Sequence, residues 1–198
     1  MRAEAHHPVS AMQPLPAVPT IETARLVLRP FRDDDAPALV RELGVKAVAD
    51  GTLRVPHPYP PERAAEFLAM LPERHAAGKA MHWAVTERHG GRLVGGAGLT
   101  ITAAHRRAEL GYWIAQDRWG NGLATEAARA FVSYAFDTLG LYRVDAHHYV
   151  ENPSSGAVMR KLGMQYEGRV RAMVWRDGVP RDLDLYAILA SDPRPLGA

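Results

Sequence analysis

A strand, a glycine turn and a helix follow one another between residues 108 and 136, and this stretch constrains the fold most strongly. Apolar residues occupy every second position from 108 to 115, which predicts a half-buried strand. The turn that follows, residues 119–122, reads Trp-Gly-Asn-Gly. Helical spacing then places one apolar stripe on Leu123, Ala127, Ala130 or Phe131, Tyr134 and Leu139, and Gly140 is a suitable stop.

A glycine turn that opens a helix has a clear chemical use. The first N–H groups of a helix have no partner within the helix and carry the positive end of its dipole. Glycines also let a bulky anion approach the backbone closely. The turn therefore predicts a phosphate-binding site, and the alternative is a plain strand-to-helix corner without a ligand.

This turn resembles the acyl-CoA pyrophosphate loop of the GNAT superfamily of N-acetyltransferases, usually written Gln/Arg-x-x-Gly-x-Gly/Ala. Gly122 and Ala124 match, whereas Trp119 occupies the Gln/Arg position. Because that difference removes a side-chain donor, the resemblance implies binding mostly through backbone N–H groups. The form Trp-Gly-Asn-Gly-Leu-Ala-Thr-Glu-Ala is most similar to the branch of RimJ/RimL-type ribosomal-protein N-terminal acetyltransferases.

A second segment, residues 152–164, resembles the family's Asn-x-x-Ala/Ser-x-x-Leu-Tyr-x-x-x-Gly-Phe helix. Met159 stands where many members have the tyrosine that protonates the departing thiolate. Ser155 stands where RimJ/RimL-like members have a serine near the CoA sulfur, so the resemblance implies that it replaces the tyrosine. Alternatively, Ser155 has only a structural role in the first turn of its helix. Asn152 is suited both to capping this helix and to contacting a ligand.

The resemblance also implies the rest of the site. A backbone N–H at a break in the strand, between Trp113 and Ala115, would face the oxyanion, and Glu109 would act as base, often through water. A solvent-facing strand position is the alternative for Glu109. The expected cofactor-binding residues are Trp113, Ile114, Ala115, Trp119, Gly120, Asn121, Gly122, Leu123, Ala124, Thr125, Asn152 and Ser155. One of Arg118, Arg129, Arg160 and Lys161 would meet the 3′-phosphate of CoA.

Composition excludes several other classes of function. The 198 residues carry a mixed charge with a net value of +2, and this predicts neither nucleic-acid nor membrane binding. The absence of cysteine excludes disulfides and a covalent thioester on the protein. Since no His-Glu-x-x-His spacing occurs, we expect no metal. The N-terminus has no apolar segment typical of a secretory signal, and we expect a cytoplasmic protein.

The element order predicts a mixed α/β fold with one domain over residues 20–190. The order β-α-α-β-β-β-α-β-α-β-β, also that of the resembled family, implies a mostly antiparallel central sheet flanked by helices, with one parallel crossover at the cofactor site. We expect a helix from Asp33–Asp35 to about residue 43, a loop over 44–61 and a helix over 61–77. Residues 1–19 and 191–198 are expected as tails, the first of them disordered.

These features predict an acetyl-CoA-dependent transfer of an acetyl group to a primary amine by direct attack in a ternary complex. An α-amine is roughly 10–20 % unprotonated at pH 7, whereas lysine is unprotonated only about once in a few thousand molecules. A weak base therefore favours a protein N-terminus or a small amine of low pKa. Tyr59, Trp83 and Tyr186 are candidates for the acceptor site.

Other possibilities stay open at this point. A longer acyl donor is one, and a homodimer through exposed strands is another. A non-catalytic acyl-CoA-binding protein and a dinucleotide oxidoreductase are the alternative functions. A dinucleotide oxidoreductase would use Gly120-x-Gly122-x-x-Thr125 as its dinucleotide-binding motif. The third glycine of that motif is missing, however, and Asp145 lies too early in its strand to bind the ribose.

Overall fold

The computed structural model describes residues 14–195, in which eight strands form one sheet and five α-helices flank it. The strands are β1 (Ile21–Glu22), β2 (Leu26–Pro30), β3 (Ala80–Glu87), β4 (Leu93–Thr102), β5 (Arg107–Ile114), β6 (Arg143–Tyr149), β7 (Gln165–Arg176) and β8 (Val179–Leu189). The helices are α1 (Ala36–Leu43), α2 (Lys46–Asp50), α3 (Pro61–Ala76), α4 (Leu123–Asp137) and α5 (Pro153–Lys161). Within these residues no helix is long and apolar enough to cross a membrane.

The sheet order is β1-β2-β3-β4-β5-β6-β8-β7, and every neighbouring pair is antiparallel except β5 and β6. The parallel pair is joined through α4, because two parallel neighbours need a crossover connection. The predicted fold class and its single parallel crossover are therefore confirmed.

Two apolar clusters lie on opposite faces of the sheet. Alternate side chains of β5 point to these two faces. Leu110 and Ile114 belong to the larger cluster, whereas Trp113 packs with the smaller one. The larger cluster joins the sheet to α4 and α5, and the ring of Phe131 lies 4.9 Å from that of Trp83. The smaller cluster joins α1, α2 and α3 to the other face.

Strands β5 and β6 stay paired for only three residues in the described structure, from Arg107 to Glu109. Beyond this point β5 remains bonded to β4, where the Ala115 N–H donates to the Val94 carbonyl at 2.8 Å. Because N–H directions alternate along a strand, those of Tyr112 and Ile114 point away from β4 and into the gap on the β6 side. The gap exposes strand backbone in the middle of the molecule.

The first half of the chain departs from the predicted helices in two places. The residues Asp33–Asp35 form a 3₁₀ turn and α1 begins at Ala36, because the Asp35 carboxylate accepts from Arg29 at 2.7 Å and from the Arg32 N–H at 2.8 Å and does not cap α1. The expected loop over 44–61 contains α2. Helix α3 has nearly the expected bounds and continues through Pro72 before it ends.

Two of the three aromatic residues expected at the acceptor site belong to the core. Trp83 is fully buried, and its Nε1 donates to the Pro19 carbonyl at 2.9 Å. Tyr186 is buried against β7, where its hydroxyl accepts from Arg160 Nη1 at 3.2 Å. Residues 14–19 run as coil along the protein, whereas 1–13 and 196–198 lie outside the described residues.

Candidate active site

The turn before α4 has the backbone that its glycines predict. Gly120 and Gly122 have φ values of 78° and 76°, in the left-handed region where a side chain is disfavoured. Gly122 is the N-cap of α4 and supplies no capping side chain, so the first N–H groups of the helix have no side-chain cap. The Trp119 indole Nε1 donates to the Ile114 carbonyl at 2.7 Å and fastens the turn to the end of β5.

A groove of about 720 Å³ lies between the N-terminal ends of α4 and α5, and it is called here the helix-end groove. Ten of the twelve expected cofactor-binding residues line it: Trp113, Ile114, Trp119, Gly120, Gly122, Leu123, Ala124, Thr125, Asn152 and Ser155. Ala115 is buried with its N–H bonded to Val94, and the Asn121 amide instead bonds the carbonyls of Arg118 and Trp119 at 3.1 Å. These two residues therefore shape the turn rather than the groove.

Basic side chains from distant segments line the helix-end groove: Lys46, Arg118, Lys161, Arg176 and Arg181. Of the four cations expected near a phosphate, Arg118 and Lys161 are present, whereas Arg129 and Arg160 do not line the groove. Arg118 is already paired with Glu87 at 2.8 Å and with Asp117 at 3.0 Å. Lys161 has no ion-pair partner among residues 14–195, so it is the better candidate for an incoming phosphate.

Ser155 lies in the first turn of α5, where the Asn152 side chain accepts its N–H at 3.3 Å. Asn152 also donates to the Gly51 carbonyl at 3.3 Å and so joins α5 to the end of α2. The Ser155 hydroxyl lies 2.9 Å from the hydroxyl of Tyr112, a residue that sequence reasoning missed. Burial raises the pKa of Tyr112 to about 12, although the bond to Ser155 lowers it in part.

A second cavity, of about 560 Å³, is lined by residues of α3, of β3 to β6 and of the segment after α2, and it is called here the sheet-face cavity. Residues shared by the groove and the cavity are Gly51, Thr52, Tyr112, Trp113, Tyr149 and Ser155. The two spaces therefore meet at the Tyr112–Ser155 pair, where β5 and β6 separate. Tyr59, the third expected aromatic residue, lines the sheet-face cavity.

Glu109 lines the sheet-face cavity and not the helix-end groove. Its carboxylate lies 3.6 Å from the Arg54 guanidinium and 3.8 Å from His147 Nε2. Its side chain is 31 % exposed, so Glu109 reaches Arg54, His147 and solvent. Met159 is buried at the position where the resembled family has its tyrosine.

Residues 25–165 match the acetyltransferase (GNAT) domain family, and this match spans more than half of the chain. The chain belongs to the GNAT family. It is therefore an acyltransferase, as the sequence predicts, and this membership rules out the dinucleotide oxidoreductase. GNAT-fold acetyltransferases use acetyl-CoA, and the glycine turn, the groove and its cations suit that molecule.

Curated relatives and solved structures agree with this membership. The chain is 31 % identical to an uncharacterised N-acetyltransferase, YoaA, of Bacillus subtilis over 86 % of this chain and 97 % of that one. It is 30 % identical to the ribosomal protein uS5-alanine N-acetyltransferase of Escherichia coli over 70 % of this chain and 72 % of that one. Mycobacterium smegmatis RimJ, solved with CoA-disulfide, has a TM-score of 0.75 and 27 % identity over 83 % of this chain and 82 % of that one. The predicted RimJ/RimL-like resemblance is confirmed.

Proposed function

We propose that the protein transfers an acetyl group from acetyl-CoA to an α-amine, at a protein N-terminus or on a small molecule, with both substrates bound together. The observation that carries this proposal is the meeting of two cavities at the Tyr112–Ser155 pair. One substrate can occupy each cavity, so the amine can attack the acetyl carbon directly. No covalent intermediate on the protein is required.

The helix-end groove is the proposed site for acetyl-CoA, which when bound supplies the acetyl group as a thioester. Gly120 and Gly122 leave room for phosphates against the first N–H groups of α4. Lys161 adds a charge without an acidic partner in the described part of the chain. The relative RimJ carries CoA-disulfide in its solved structure, which supports this assignment.

The gap beside β5 supplies a donor for the developing oxyanion. Ala115 bonds Val94, and alternation directs the N–H of Ile114 into the gap. A backbone donor held by a strand is already oriented, so it needs little reorganisation when negative charge develops. We assign this role to Ile114 and not to Ala115.

Ser155 is the proposed acid for the departing sulfur, and Tyr112 is its proposed proton source. Ser155 gives its hydroxyl proton to the sulfur as Tyr112, at 2.9 Å, passes its own proton to Ser155, and solvent then returns a proton to Tyr112. Burial raises the pKa of Tyr112 to about 12, so its phenol is protonated at neutral pH and gives up its proton only in step with the transfer from Ser155.

Glu109 is the proposed base for the amine, directly or through one water. The base has little to do for an α-amine, since roughly 10–20 % of such amines are already unprotonated at pH 7. A partly exposed carboxylate that contacts Arg54 and His147 is adequate for this task but weak for lysine. This contrast supports an α-amine acceptor over a lysine side chain.

Thermal unfolding with acetyl-CoA, CoA and NADPH, followed by CoA release with a panel of amines, tests the function. A ligand at about 100 times its Kd should stabilise the chain by ~2.7 kcal/mol, or roughly 5–11 °C. We expect a shift with both CoA compounds only, and CoA release with α-amines above that with lysine side chains. A shift with CoA but no release with any amine would support a non-catalytic acyl-CoA-binding protein instead.

A further inference from the structure

The sheet-face cavity carries positive charge that its own acids do not balance. Three arginines and two glutamates line it. Arg63 pairs with Glu66 at 2.9 Å, and Arg54 lies 3.6 Å from Glu109. Arg74, in the last turn of α3, has no acidic partner among residues 14–195. One guanidinium therefore borders the cavity without a counter-charge in the described structure.

His82 shares this end of the cavity and stays uncharged. Its pKa is lowered to about 4, chiefly by burial and further by the positive charges of Arg74 and Arg54. The ring packs against Gly98, where an added Cβ would lie only 2.7 Å from it, and it meets Phe67 edge to face with 5.9 Å between the ring centroids. A neutral imidazole adds a hydrogen-bonding group beside Arg74 and no competing charge.

The rest of this end of the cavity is apolar. Phe31 and Phe67 meet edge to face at 5.3 Å, and Tyr59 and Met70 also line the wall. A bound molecule would therefore find a guanidinium and an imidazole set into an aromatic surface. Such a surface suits an anion on an apolar body, whereas a polycation would meet like charge.

We propose that Arg74 and His82 form a carboxylate subsite in the sheet-face cavity, so that the preferred acceptor is an amine with an apolar body and a carboxylate. The proposal rests on the proposed function, because it assigns the acceptor to this cavity. The carboxylate has two sources, the acid group of a free amino acid or an acidic side chain next to a peptide N-terminus. Polyamines are disfavoured by the same charge.

Calorimetry with acetylated products tests the subsite without any need for turnover. The probes are N-acetylphenylalanine, its amide, and the α-amide of N-acetylphenylalanylaspartate, in which only the aspartate side chain is acidic. A hydrogen-bonded charge in a partly screened site should favour a carboxylate over its neutral analogue by about 10-fold in Kd. Tighter binding of the first or the third probe than of the neutral amide identifies the source of the carboxylate.

Variants of the arginine test the assignment to Arg74. Arg74→Gln should remove the preference for the acid over the amide, whereas Arg74→Lys should retain part of it. Lys79→Gln is the matched control, because it removes the same charge near the same helix end but does not line the cavity. Unfolding curves of all three variants show that the comparison is made on folded protein.

The two proposals fail in different ways. Equal binding of the neutral amide and of both acidic probes to the wild-type chain, or a preference that survives Arg74→Gln, overturns the carboxylate subsite. CoA release with spermidine at a higher kcat/KM than with phenylalanine also contradicts it, while leaving the acetyltransferase proposal intact. A preference for the carboxylate probes, together with no CoA release in the presence of any amine, would support the subsite and contradict the proposed reaction.

Discussion

The Tyr112–Ser155 hydrogen bond gives the proposed reaction its most direct test at the level of single residues. Ser155→Ala should lower kcat by about 10²-fold, since general acid catalysis contributes at least this much. The Kd for CoA should change by less than about 2-fold, because the side chain contacts the reacting end of the groove and the phosphate-binding turn is untouched. Steady-state CoA release and calorimetry measure the two quantities.

Tyr112→Phe provides the second half of this test. If Tyr112 only supplies protons through Ser155, the double variant should be no slower than Ser155→Ala alone, because residues that act as one unit are not additive. Ser133→Ala, on α4 and outside both cavities, is the matched control. Additive losses in the double variant would show that the two hydroxyls act separately.

The sequence identifies one residue of this pair, Ser155, as a candidate site residue but not the other, Tyr112. Ser155 occupies a position that the resemblance to the family's second motif identifies. Tyr112 looks like an ordinary strand residue, because its contact with Ser155 spans 43 positions and depends on the gap between β5 and β6. The same is true of Arg74, whose place at the cavity follows from the packing of α3 against the sheet.

At the level of elements, the turn before α4 predicts a specific loss of cofactor binding. Gly122→Val should weaken CoA binding by at least about 10-fold, because a branched side chain at the helix N-cap would project where phosphates must approach. The φ of 76° also makes any side chain there costly, by about 1–2 kcal/mol of folding free energy. Calorimetry with CoA, together with urea unfolding, separates the two effects.

Gly140→Val is the matched control for that variant. Gly140 follows the other end of α4 with a φ of 63°, and a Cβ at this position would have no neighbouring atom within 4 Å. The variant should therefore cost similar folding free energy without any loss of CoA affinity. Equal affinities for CoA in the two variants would place the phosphates away from this turn.

Strands and helices can be predicted where one hydrophobic period dominates the sequence. The alternation in β5 and the apolar stripe of α4 are local patterns, and the structure has both elements close to the expected bounds. The sequence does not predict helix α2, because five residues ahead of a proline-rich segment are too short to show a period. The start of α1 was misplaced, because the partner of the Asp35 carboxylate is an arginine on β2.

For the whole molecule, the site depends on the sheet being open at its centre. The helix-end groove lies at the N-terminal ends of α4 and α5, the sheet-face cavity lies beside α3, and β5 borders both spaces and carries both Tyr112 and Glu109. Local motifs predict the helix-end groove well, because most of its residues lie in two short segments. The sheet-face cavity draws residues from β3, β4, β5, β6, α3 and the segment after α2, so the acceptor cannot be read from any one motif.

Burial of His82 also makes the free energy of unfolding depend on pH. Its pKa is about 4 in the folded chain and about 6.5 when unfolded, so the unfolded state binds more protons between these values. The contribution of neutral His82 is therefore fully present above about pH 6.5 and is lost as the pH falls towards 4. The shift corresponds to about 3 kcal/mol of unfolding free energy.

Urea unfolding between pH 4.5 and 7 measures this loss. His82→Phe should flatten the fall in unfolding free energy over that window, because an aromatic ring still fills the space beside Gly98 but cannot bind a proton. The exposed His89 is the control, and His89→Gln should follow the wild-type curve. Carboxylates with lowered pKa, such as Asp35 and Asp184, lose their contribution at a lower pH and so leave the window largely to His82. A wild-type slope in His82→Phe would mean that the ring is hydrated in solution and charged without penalty, which would also remove the neutral imidazole from the carboxylate subsite.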